Sequence, residues 1–415
     1  MNQSDELVDI DVFRMGAQRW LAENMTARVS AEDHGASGDE RAAVARNKVL
    51  QERLFAGNLA GLTFPKEYGG QGLTAIHQQA FDEESAGYEM PTILRVPTLT
   101  IIGPTILACG SRAQKERYLP PLLRGHEWWV QLLSEPTGGS DLAGVITRGV
   151  RDGDVFVLNG QKVWSTGAHY SDFGLALVRT NAEAPKHRGL TMVIVPFGAP
   201  GVTVKPIKQI TGDADFCEVF FDDVQVHIDN VVGEINEGWS VASTLMGFER
   251  RAAGVGRPRD VVADLLRLSE QSEEPLAGDV GRLISDTHVN AVVESYLARR
   301  ITQAVQLGVM PPQASALLKL YRAAKVQAGT EAALDILGTE GVVWDPQDPS
   351  GGDWAQEYLG SRARSIAGGT NEMQRNVIGD RLLGLPREPQ PGANVPFNQI
   401  LQNRVPDRFQ RDDPK

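Results

Sequence analysis

A glutamate in an apolar helical row is the side chain of this sequence best suited to moving a proton. In TLMGFERRAAG, Glu249 follows Ala242 and Leu245 and precedes Ala252 at helical spacing, in a row otherwise without charge. Its neighbours three and four positions away are Leu245, Met246, Ala252 and Ala253, so no helical ion-pair partner is at hand. A carboxyl in such surroundings keeps its proton to higher pH and becomes a competent base. The same spacing also suits a glutamate at the edge of the row that reaches into water, because isolated carboxylates are seldom fully buried.

Three other stretches carry chemistry of a different kind. In SIAGGTNEMQR, Gly368 and Gly369 allow close backbone approach, and Thr370 leads into a helix whose first amides favour an anion, yet nothing in IAGG takes a proton. SEPTGGSD offers the hydroxyls of Ser134, Thr137 and Ser140 together with free amides, able to wrap a phosphate or a polar ring edge. Ordinary turns have the same composition. Trp164, followed by Ser165 and Thr166, sets an aromatic ring beside two hydroxyls, a core tryptophan being the alternative.

These residues need a scaffold, and 415 residues with 41% hydrophobic content suffice for two or three packed domains. The net charge of -12 argues against nucleic acid or an anionic membrane as partner, leaving an anionic small molecule held by local arginines. Cys109 and Cys217 are far apart with no CxxC, which suggests neither a disulfide framework nor zinc, and the scattered histidines have no metal spacing. MNQSDELVDI lacks the apolar core of a signal peptide, and VPTLTIIGPTILACG is too short and interrupted to span a bilayer. A reducing, cytoplasmic setting is expected.

Apolar residues recur every three or four positions in DVFRMGAQRWLAENM, in ERAAVARNKVLQERLFAGNLA and in the helix after Gly110. From Trp128 to Val232 the period becomes two. Asn159-Gly160 within VFVLNGQKVW predicts a hairpin turn, and FGLALVRT, LTMVIVPF, VTVKPIKQI and CEVFFDDVQV predict further strands. Helical spacing returns in WSVASTLMGFERRAAG, DVGRLISDTHVNAVVESYLARRITQAV and ASALLKLYRAAKVQAGTEAALDIL. LRLSEQSEEPLAGD predicts a link between helices, and the Pro-rich chain beyond Leu385 a surface arm, partly disordered. The order α, β, α results.

Taken together these segments resemble the acyl-CoA dehydrogenase family. The family pattern T/S-E-P-x-x-G-S-D, then N-G-x-K-x-W-I/S-T, is met by Ser134-Glu135-Pro136, Gly139-Ser140-Asp141 and the run Asn159 to Thr166. PKEYGGQG, QKERYLPPLLRG, EVFFDDV with VVGEINEGW, and GGTNEMQRNVIGDRLLGL follow in family order over about residues 50 to 385. The resemblance implies an α+β fold: a helical N-terminal domain at 1–127, a middle β-barrel domain at 128–236, a C-terminal four-helix bundle at 237–385 and a tail at 386–415. FAD would lie between barrel and bundle. Leu133 and Ser134 would meet the flavin edge, Trp164 would pack on the isoalloxazine, and Ser165 and Thr166 would bond its pyrimidine side. Thr370 and Glu372 match positions near the ribityl and pyrophosphate, Ser140 and Arg250 contact the CoA arm, and Gly369 borders the thioester.

Many family members have a catalytic glutamate where this chain has Gly368, while a smaller subset keeps Gly there and supplies the base from an F/L-E-R segment, here Phe248-Glu249-Arg250. The implied reaction is α,β-dehydrogenation of an acyl-CoA to a trans-2-enoyl-CoA, a step of fatty-acid β-oxidation, with electrons passed to an electron-transfer flavoprotein. Two departures stand out. LRLSEQSEEPLAG replaces R-x-x-F-G, and the family's Q-x-x-G-G-x-G, which cradles adenosine across the dimer, becomes Asp335-Ile336-Leu337-Gly338-Thr339-Glu340-Gly341. The chain therefore either binds FAD with altered contacts in a homodimer or homotetramer, or joins a homologous subunit, as bacterial members acting on bulky or steroid acyl-CoA do. An acyl-CoA oxidase and a non-catalytic structural subunit are the competing readings.

Overall fold

A computed structural model describes residues 8–28, 40–93, 95–252, 260–271, 279–343, 349–389, 392 and 394–400. They pack as two units, one drawn from residues 1–207, 214–256 and 391–415, the other from 208–213 and 257–390.

The first unit opens with α1 (Ile10–Asn24), whose amides at Asp11 and Val12 are capped by the Asp9 carboxylate. Helices α2 (Glu40–Ala56) and α3 (Ala75–Glu84) join it around Leu21, Leu54, Leu62 and Phe81, and Arg14 ties α1 to Glu83 and Glu84 of α3. The apolar run Val96–Ile102 is a π-helical turn leading into α4 (Gly103–Cys109). A capping box between Ser111 and Gln114 then starts α5 (Arg112–Arg124).

Eight strands follow as one sheet: β1 (Trp129–Leu132), β2 (Arg148–Asp152), β3 (Val155–Lys162), β4 (Phe173–Arg179), β5 (Leu190–Pro196), β6 (Val202–Pro206), β7 (Cys217–His227) and β8 (Val231–Val232). The order is β6-β7-β3-β2-β4-β5-β8, with β1 parallel to β4. Asn159-Gly160 is not a hairpin turn: β3 runs through it with a bulge opposite β7, and the β2–β3 turn lies at Gly153 instead. The Asn159 side chain bonds both the carboxylate and the amide of Asp223 across the ladder, so tertiary pairing overrides the local turn signal.

α6 (Gly238–Ala252) buries Val241, Ala242 and Leu245 in the same core as the π turn, α4 and β5. Residues 394–400 of the expected arm are held against the first unit, and 401–415 lie outside the described residues. Phe397 is buried, its ring lies 3.8 Å below the Arg179 guanidinium carbon, and the Phe397 and Asn398 amides donate to the carbonyls of Ala184 and Ala182.

The second unit holds α7 (Val261–Gln271), α8 (Val280–Gln306), α9 (Ser315–Leu337), α10 (Pro349–Ser361) and α11 (Asn371–Val377). Leu265, Val280, Ala333, Ile336 and Trp354 form its core, and Glu294 of α8 pairs with Arg322 and Lys325 of α9. The expected link LRLSEQSEEPLAGD is half helix. Leu265 and Leu268 pack in the core, which extends α7 to Gln271, and residues 272–278 lie outside those described. Among the described residues, no helix is long and apolar enough to cross a membrane, and no group of acidic, His or Cys side chains could hold a metal.

Candidate active site

Strand β1 runs from the buried Trp129 into Leu133 and Ser134, and one polar residue, Gln131, interrupts its apolar sequence. The Gln131 Nε2 donates to Glu249 Oε1 at 3.1 Å, so α6 delivers the glutamate to this strand. An extended chain advances about 3.3 Å per residue, which puts the Leu133 backbone roughly 7 Å further along. Burial pushes the Glu249 carboxyl above its ordinary range, while the Gln131 donor and the Arg250 charge pull the other way and offset part of the shift. The apolar row predicted for α6 is present in Ala242 and Leu245. The hydrogen-bond partner lies 118 residues away in sequence, beyond any helical-spacing rule.

The loop after β1 is held from beneath by Lys162, buried at 0% exposure. Its ammonium donates to the Leu133 carbonyl at 3.0 Å, the Glu135 carboxylate at 2.8 Å and the Leu177 carbonyl at 2.5 Å. Burial pulls Lys162 below the usual lysine range, and the Glu135 charge opposes that pull. Glu135 also accepts the amides of Ile146 and Thr147 at 2.7 and 3.0 Å, so all three of its partners are local and its role is to shape the loop. A lysine facing inward on β3 is the sequence signal for this clamp.

The end of β3 meets the same loop, because the Val163 amide donates to the Ser134 carbonyl at 2.9 Å. Leu133, Ser134, Trp164, Ser165 and Thr166 are thereby brought into one patch. Trp164 is 58% exposed and sits at φ 64°, a left-handed conformation costly for a bulky side chain. The alternative of a core tryptophan is thus excluded. Ser165 is locked to Cys217 by two backbone bonds, and its buried hydroxyl has no partner among the described residues. An exposed aromatic face beside an unsatisfied buried hydroxyl fits a flat polar heterocycle such as a flavin ring. Ser140 is exposed on the same loop, next to Asp141, which pairs with Lys186 at 2.5 Å.

The second unit carries Asp335, Gly338, Gly368, Gly369, Thr370 and Glu372. Gly368 and Gly369 have φ 66° and 87°, and Gln374 Nε2 donates to both of their carbonyls, at 3.2 and 3.1 Å. Sequence reading missed Gln374, which has no signal beyond its spacing after Thr370. Thr370 caps α11 by accepting the Met373 amide, and Glu372 is exposed and paired with Arg375. Asp335 and Glu340 are exposed around Gly338 at the end of α9. Their charges fit an anionic pyrophosphate poorly, in contrast to the flavin-shaped patch on the first unit.

Family models for the acyl-CoA dehydrogenase N-terminal, middle and C-terminal domains match residues 11–126, 131–224 and 236–383. The chain is 38% identical to acyl-CoA dehydrogenase IpdE1 of Mycobacterium tuberculosis, over 92% of this chain and 99% of that protein. The chain belongs to the acyl-CoA dehydrogenase family. As a member it is a flavin-dependent oxidoreductase of lipid metabolism with the fold of that family. Two solved structures resemble it at 28% identity. The "Tcur3481-Tcur3483 steroid ACAD" has a TM-score of 0.76, with 92% of this chain and 99% of that one covered. The ChsE4-ChsE5 complex from Mycobacterium tuberculosis has a TM-score of 0.72, with coverage of 94% and 100%.

Proposed function

We propose that this acyl-CoA dehydrogenase uses Glu249 as its base in the α,β-dehydrogenation of an acyl-CoA thioester. The observation that carries the reading is the Glu249 carboxyl, partly buried, raised above its ordinary range by that burial and hydrogen-bonded to the strand that continues into Leu133 and Ser134. Leu133, Ser134, Trp164, Ser165 and Thr166 would hold the isoalloxazine of FAD, whose bound form supplies the hydride acceptor. Glu249 takes the proton from the carbon next to the thioester carbonyl, and its raised pKa matches it to so weak an acid. The amides of Gly368 and Gly369 form no hydrogen bond among the described residues, while their carbonyls accept from Gln374. They are suited to the growing charge on the thioester oxygen, where one donor is typically worth ~2.7–4 kcal/mol. Ser140 and Arg250 would meet the CoA arm, with Thr370 and Glu372 toward the ribityl and pyrophosphate.

The name of one structural relative includes a steroid substrate, and both relatives carry two-component names. We extend both features to this chain: a bulky acyl-CoA, and a homologous second subunit that completes the adenosine end of the FAD site in place of Asp335 and Gly338. Electrons pass to an electron-transfer flavoprotein; rapid peroxide release on mixing with acyl-CoA would instead mark an oxidase. Glu249→Gln is expected to retain FAD absorbance while slowing anaerobic flavin bleaching by substrate at least roughly a hundredfold. Unchanged bleaching overturns the assignment. A pure homotetramer with one FAD per chain overturns the mixed assembly.

A further inference from the structure

Gln131 has an amide oxygen that is buried and has no partner among the described residues, although its Nε2 is bonded to Glu249. A buried amide oxygen left unpaired is costly, so its placement one bond from the base calls for a reason. The carboxylate form of Glu249 only accepts hydrogen bonds, whereas the acid form also donates one O–H. The terminal torsion of glutamine is broad and close to twofold, so the torsion itself permits a half-turn that exchanges its nitrogen for its oxygen.

We infer that Gln131 is a positioning residue that follows the protonation state of Glu249, donating Nε2–H to the carboxylate and, after a half-turn, accepting the O–H of the carboxylic acid on Oε1. The proton in question moves from the substrate carbon to Glu249, and Gln131 neither gains nor loses one. Each state of the base thus finds a partner in one place, and the carboxyl stays aimed along β1 before and after transfer. An aliphatic residue at 131 would serve neither state, and a lysine would serve only the first.

The surroundings leave Gln131 a clear share of this control. Arg250 on α6 is the charged group acting on Glu249. Among the described residues, the π turn VPTLTII, α4, β5 and β1, which pack against α6, bring no acid or base except the thiol of Cys109. His187 touches α6 at Trp239, ten residues and therefore about 15 Å along the helix from Glu249.

The inference rests on Glu249 being the base, so the test separates the two. In the FAD-loaded protein, infrared difference titration follows the Glu249 acid carbonyl band, identified by its loss in Glu249→Gln. Alongside it, the pH dependence of anaerobic flavin reduction is recorded for wild type, Gln131→Met and Gln131→Asn. The near-isosteric Met removes both hydrogen-bonding atoms, and Asn withdraws its amide by one methylene. Both variants are expected to move the Glu249 titration and the acid limb of reduction upward, by up to about one pH unit, because the carboxylate loses a charge-assisted hydrogen bond while the acid loses only a weaker neutral one. Below that limb the reduction rate falls roughly tenfold. The acid carbonyl band should sit at lower frequency in wild type than in Gln131→Met, reflecting the O–H bond to Oε1. Titrations that coincide overturn the role of Gln131, and equal band frequencies overturn its acceptor half. A Glu249→Gln protein that still bleaches at the wild-type rate overturns the base itself.

Discussion

Lys162 is fully buried and Glu249 partly so, and the two ionisable groups are provided for differently. Lys162 meets three acceptors that organise residues 133–135, whereas Glu249 has a single donor among the described residues and an uphill ionisation. Breaking a buried ion pair from one side leaves an uncompensated charge. Glu135→Ala is therefore expected to cost about 3–5 kcal/mol in chemical denaturation and to abolish flavin retention, through the loop and not through any contact with substrate. With its pKa raised, Glu249 holds its proton, and cannot serve as the proposed base, until the pH rises past that value. The rate of flavin reduction should accordingly increase with pH through a limb above the ordinary glutamate range, and the limb should vanish with Glu249→Gln. Glu249 stood out as a candidate through its apolar row together with the family's F/L-E-R segment. Gln131 did not, because its importance comes from a pairing across 118 residues that no spacing rule encodes.

At the scale of elements, helices with a clear apolar stripe were legible as helices and their ends were less so. α6 and α9 follow their predicted rows, while α7 absorbs half of a segment that composition alone marks as a link, because Leu265 and Leu268 have a core to enter. Asn159-Gly160 shows the limit of local turn chemistry. At φ 146°, Gly160 lets β3 pass Thr147, whose Cα would lie 2.7 Å from a Cβ built there. Gly160→Ala is expected to destabilise the first unit by about 1–3 kcal/mol and to disturb the Trp164 end of the strand, read as a lowered unfolding midpoint with weakened flavin binding.

On the scale of the whole molecule, the surface arm expected after Leu385 is seen in the exposed residues 386–389, while a single apolar residue ties down 394–400; residues 401–415 lie outside those described. Phe397 under Arg179 fastens residues 394–400 to the first unit, beside a guanidinium that also holds the carbonyls of Ala143, Lys186 and Arg188. Phe397→Ala should free this segment by local opening, giving faster cleavage by proteinase K between residues 386 and 400 with flavin content unchanged. The sequence by itself determined the α, β, α order, the family and the residue types available for catalysis, because periodicity and short motifs are local properties written into neighbouring positions. Tertiary structure alone decided that Trp164 stands exposed in a left-handed conformation, that Ser165 keeps an unsatisfied hydroxyl, that Lys162 clamps the loop and that Gln131 meets Glu249. Each of those depends on distant segments packing together, and it is that packing which raises the Glu249 carboxyl above its ordinary range.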